Sequence, residues 1–109
     1  FLRRQTESPI IVALPSPYIV GWRMWSAEHS ASAYATREEF MEACTEIVRE
    51  EVRELAGLGV DAIQLDDPDM AMLVDASFRE RMGIADVDRE IELSVRCING
   101  AVEGAGGAG

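Results

Sequence analysis

The chain has 109 residues, enough for one small domain with a core. Twenty acids stand against ten bases, all of them arginine, for a formal net charge of -10. That balance argues against a nucleic-acid partner, which needs clustered cations to displace counterions from phosphates.

The longest apolar run, Ile10 to Pro15, is far below the roughly 18 to 20 residues of a membrane span, and no charged leader precedes an apolar signal region. The expectation is a soluble, cytoplasmic protein with no membrane partner. Cys44 and Cys97 fall within helical patterns and read as small buried hydrophobes. His29 has no Cys or His at ligand spacing, so no zinc site is complete within the chain. The start at Phe1 and a flexible Gly-rich end at 104–109 predict a single partial domain, a section cut from a longer chain.

In chain order, "SPIIVALPSP" at 8–17 sets β-branched residues between prolines and predicts a short buried strand. Residues 18–35 keep no period and read as a covering or functional loop. Thr36 and Glu39 form a capping box, in which the hydroxyl accepts the Glu39 amide and the carboxylate reaches back to the Thr36 amide. From there Phe40, Cys44, Ile47, Val48, Val52 and Leu55 recur as one apolar stripe, with the glutamates on solvated faces. Gly57 or Gly59 should stop this helix.

"VDAIQLDDP" then predicts a second strand, and Pro68 opens a short helix carrying Met70, Leu73, Val74, Phe78 and Met82. After Gly83, Asp86 or Asp88 caps a third helix with Ile91, Val95, Ile98 and Val102 inward, ending at Gly104. Strands alternating with amphipathic helices imply parallel βα units. A parallel pair cannot cover both of its faces, so the pattern predicts a section of a larger α/β fold.

Side chains alternate along a strand, so Gln64 and Asp66 share one face and Ile63 and Leu65 the other. If the aliphatic pair meets the helices, the polar pair faces the interior at the strand's carboxyl end, where α/β barrels bind substrates. Asp66 is therefore a candidate substrate contact, although a helix cap is equally consistent with its position; Asp67 reads as the cap.

"LPSPY" at 14–18, "GVDAIQLDDPDM" at 59–70 and "CINGAVEG" at 97–104 resemble, in order and spacing, the catalytic domain of cobalamin-independent methionine synthase and its short homologues in the uroporphyrinogen decarboxylase/methionine synthase barrel superfamily. "IQLDDP" is similar to that family's "IQIDEP" signature. The resemblance implies an internal section, about two βα units, of a (β/α)8 TIM barrel. It further implies a zinc-dependent methyltransferase that forms methionine from homocysteine, with methyltetrahydrofolate as methyl donor.

In such an enzyme zinc lowers the pKa of the substrate thiol and so supplies thiolate at neutral pH. The resemblance puts Asp66 on the homocysteine ammonium, a charge-assisted contact, with Gln64 and Trp22 as further substrate-binding candidates. It assigns no catalytic residue to the chain, and it puts the zinc ligands, a His-x-Cys pair, a Glu and a later Cys, beyond the last helix. Met72 stands where methionine synthases place an acid against folate, and Trp22 and Trp25 are the counterparts of the folate-stacking tryptophan. A thiol alkyltransferase of the epoxyalkane:coenzyme M type is the alternative within the superfamily. Outside the enzymes a further alternative stays open, a catalytically inert barrel piece stable only when its sheet edges pair with the rest of its barrel or with other copies.

Overall fold

A computed structural model describes residues 1–105 of the chain. Strands β1 (Ile11–Pro15) and β2 (Ala62–Asp66) pair in parallel, with Ile11 opposite Ala62 and Pro15 opposite Asp66. Helices α1 (Pro17–Met24) and α2 (Arg37–Gly57) connect them. Helices α3 (Pro68–Met72), α4 (Ala76–Met82) and α5 (Val87–Val102) follow β2. The architecture is α/β, as expected.

Exposure alternates along both strands. Leu14, Ile63 and Leu65 turn toward Val48 and Val52 of α2 and Ala101 of α5. Ile11, Ala13 and Pro15, with Ala62, Gln64 and Asp66, form the opposite face, which is exposed. The helices thus lie on one side of the sheet, and the polar pair of β2 is on the other. At the amino end, Asp61 ties the approach to β2 to the residues ahead of β1: its carboxylate accepts the Ile10 amide at 2.6 Å and the Arg3 guanidinium at 2.6 Å.

The segment 18–35, expected as a loop, begins with a helix. The Ser16 hydroxyl accepts the Ile19 amide at 3.1 Å, and Pro17 sits in the first turn, where its missing N–H leaves no unpaired donor. Pro17, Tyr18 and Ile19 are buried in succession, so α1 shows no amphipathic period. Gly21 allows the closest approach to α2, since a side chain there would overlap Met41 Cγ. Beyond α1, Trp25 and Tyr34 both pack on Phe40, at ring separations of 5.8 and 5.2 Å.

Thr36 caps α2 as expected, accepting the Glu39 amide at 3.1 Å. The Glu39 carboxylate, however, takes the Ala35 amide at 2.8 Å, one residue before the Thr36 amide predicted for it. The buried face is Met41, Cys44, Thr45, Val48 and Val52. Ile47, predicted inward, is 63% exposed on the flank toward β1. The helix stops at Gly57, and Gly59 takes φ 75° to turn the chain into β2.

The helix expected after Pro68 is two helices. Asp67 caps α3, accepting the Met70 amide at 3.3 Å, and Asp75 caps α4, accepting the Ser77 amide at 2.8 Å. Gly83, at φ 68°, closes α4.

Asp86, not Asp88, caps α5, accepting the Arg89 amide at 3.0 Å. The inward face of α5 also differs from the expectation. Glu90, Leu93, Ser94, Cys97 and Ala101 are buried, whereas Ile91, Val95 and Val102 are 38, 45 and 43% exposed and run along the flank. Small residues win the inner face because they let α5 come close to α2: a Cβ on Gly100 would lie 2.9 Å from Thr45 Cγ2. Gly104, at φ 78°, and Ala105 form the turn that ends α5, with Ala105 packed against Val48, Val52 and Ala101. The rest of the Gly-rich end, 106–109, lies outside the described residues. Among the described residues no helix is long and apolar enough to cross a membrane.

Candidate functional site

The carboxyl ends of the two strands are joined by a main-chain bond. Pro15 has no amide proton, and the next residue, Ser16, donates its N–H to the Asp66 carbonyl at 2.8 Å. Asp66 and Gln64 sit side by side on the exposed face of β2, two residues apart, as strand alternation requires. The Gln64 amide donates to Asp66 Oδ1 at 2.5 Å. Among the described residues no cation pairs with the Asp66 carboxylate, which leaves it an acceptor open to an incoming positive group.

Asp67 points the other way. Beyond capping α3, it accepts the Ser94 hydroxyl at 2.5 Å through its second oxygen, Oδ2. Ser94 is fully buried on α5. The two neighbouring acids therefore differ in surroundings: Asp66 faces outward beside Gln64, and Asp67 is locked into the helix layer.

One turn before Ser94 on α5, buried Glu90 accepts the Tyr18 hydroxyl at 2.8 Å. Arg37 grips both oxygens of the same carboxylate, with the bond to Oε2 at 3.1 Å, and its guanidinium stacks 4.5 Å from the Trp22 ring centre. Burial raises the Tyr18 phenol well above its ordinary range, and the adjacent Glu90 carboxylate raises it further. Tyr18 is therefore a fixed hydrogen-bond donor rather than an acid. A cleft of about 480 Å³ opens beside this group, lined by Trp22, Arg37, Glu38, Asp86, Arg89 and Glu90 among others.

Trp22 is thus placed against the helix core of Tyr18, Met41, Leu93 and Cys97. The cleft it lines does not include Gln64 or Asp66. Its indole N–H is buried without a hydrogen-bond partner among the described residues. Met72 is exposed at the end of α3. Cys44 and Cys97 are buried free thiols, raised above the ordinary range chiefly by desolvation. His29 is exposed. Among the described residues no group of three His, Cys, Asp or Glu side chains could hold a metal ion.

Asp66, Gln64, Asp67 and Trp22 stand out in the sequence, whereas Arg37, Glu90 and Ser94 do not. The missed signal was a polar pair spaced four apart, Glu90 and Ser94, on the same helical face as Leu93 and Cys97. The chain matches no family model, no curated protein and no solved structure.

Proposed function

We propose that the chain forms two successive βα units of a (β/α)8 barrel of the methionine-synthase type, and that Asp66 receives the ammonium group of homocysteine. The observation that carries this reading is the position of Asp66: the carboxyl end of a parallel strand, on the face away from the helices, with one oxygen held by Gln64 and, among the described residues, no cation paired to it. In a closed barrel that face is the interior, and strand ends are where its ligands bind. Excluding water there strengthens the attraction between a carboxylate and an ammonium.

The residues described here do not fit a zinc site. Both thiols are buried in the helix layer and the lone histidine stands on the surface, so the zinc of such an enzyme would be held by other residues. The role of this section is to bind and orient the amino-acid end of the substrate.

In the full-length gene product, Asp66→Ala should raise the homocysteine concentration needed for half-maximal methyl transfer by about 10- to 100-fold, the value of one charge-assisted hydrogen bond. Zinc content should stay at that of the unmutated protein. An unchanged homocysteine requirement would remove the role given to Asp66.

Met72, in place of an acid at the folate position, favours a second reading, a thiol alkyltransferase of the epoxyalkane:coenzyme M type. Coenzyme M carries a sulfonate, which the Asp66 carboxylate would repel. Tighter binding of coenzyme M than of homocysteine to the unmutated protein would reverse the order of the two readings.

A further inference from the structure

We infer that Ser94 and Glu90 of α5 are positioning residues for the Asp66 site, one securing the exit of β2 and the other the exit of β1. This rests on the role proposed for Asp66, but the geometry behind it is independent of the substrate's identity. Ser94 and Glu90 are both buried and lie four residues apart, so they project from one face of α5. Each reaches a residue just past a strand end: Ser94 donates to Asp67, which directly follows β2, at 2.5 Å, and Glu90 accepts from Tyr18, three residues past the end of β1, at 2.8 Å.

The two anchors meet at Asp66. Asp67 is its covalent neighbour, held by Ser94 through one carboxylate oxygen and by the Met70 amide through the other. Tyr18 stands two residues after Ser16, whose amide grips the Asp66 carbonyl at 2.8 Å. The main chain of Asp66 is therefore fixed on both sides, and its side chain keeps only its own rotations, which the Gln64 amide restricts. A carboxylate that must meet an ammonium at hydrogen-bond distance gains from this fixing, because orientation established before binding is not an entropic cost of binding. Arg37, stacked on Trp22 and bonded to both Glu90 oxygens, keeps Glu90 from turning away from Tyr18.

The side-chain amide of Gln64, bonded to Asp66, reports the position of that carboxylate directly in a two-dimensional nitrogen–proton NMR spectrum. In Ser94→Ala this resonance should move while the urea midpoint shows the chain still folded, and Ser94→Thr, which keeps the hydroxyl, should return it toward its original place. Homocysteine titrated into the same samples should bind roughly tenfold more weakly to Ser94→Ala, within the ~100-fold that an ångström of misplacement can cost.

If Ser94→Ala does not fold, Tyr18→Phe removes the other anchor's hydroxyl and is read at the same resonance. A Gln64 amide unmoved in the folded variant overturns the inference. A resonance that moves in a chain indifferent to homocysteine upholds the positioning role and removes the substrate reading instead.

Discussion

Glu90 illustrates how a buried charge is tolerated in so small a core. Its carboxylate accepts from Tyr18 and from two nitrogens of Arg37, so its charge and most of its lone pairs are met. Removing it strands the Arg37 guanidinium and the Tyr18 hydroxyl together. Glu90→Ala should therefore destabilise the fold by about 3 to 5 kcal/mol, the usual cost of breaking a buried pair from one side. Glu90→Gln, which can still accept from Tyr18, should cost less. Urea unfolding of the three proteins checks the order, and equal midpoints for Glu90→Ala and the unmutated chain would show that the network adds no stability. Little of this group was legible in the sequence. Arg37 reads as one more charge at a helix start, and only the fold brings it to Glu90, 53 residues later.

Among the elements, those whose signals are local were the ones sequence could predict. Thr36, Asp67 and Asp86 each cap the helix they were expected to open or were candidates to open, because a cap depends only on the next three residues. What escaped was whatever depends on packing partners. In α1 the periodic signal vanished because consecutive residues are buried. In α5 the apolar row Ile91, Val95 and Val102 was the stronger pattern, yet the inner face went to Ser94, Cys97 and Ala101, whose small size permits close helix contact. Residues 73–75 broke one expected helix into two because Asp75 offers a second cap. Close contact also governs the pairing of α1 with α2. Gly21→Ala would push a methyl group into Met41 and should cost about 1 to 3 kcal/mol. Paired with Met41→Ala, the two substitutions should cost less than their sum, and a double-mutant cycle measures the difference. Strict additivity would mean that the two side chains do not compete for the same space.

For the molecule as a whole, acid stability brings two opposing effects together. The Ile10 amide and Arg3 hold the Asp61 carboxyl below its usual range, and Arg89 does the same for Glu38. A depressed folded-state pKa contributes stability that is complete above the unfolded value, about 4, and is lost as pH falls through the folded value. Against this, the formal charge of -10 weakens as pH drops toward the isoelectric point near 4.4, which relieves self-repulsion. Stability at low salt should accordingly rise from pH 7 toward about 5 and fall below about 4. Asp61→Asn should flatten the acid limb of urea midpoint against pH, and an unchanged limb would exclude Asp61 as a contributor. The alternation of strand and helix, and the side of β2 that carries Gln64 and Asp66, could be read from the sequence because a two-residue period fixes them. How the helices divide the remaining surface could not.

The last bond between the strands runs from the Ser16 amide to the Asp66 carbonyl, and just beyond it both strands turn into helices, at Pro17 and Pro68, so the ladder ends at the acid. Asp66 consequently stands on a rim and never in the middle of a strand. An ammonium group received there, as proposed, would arrive and depart without prising strands apart.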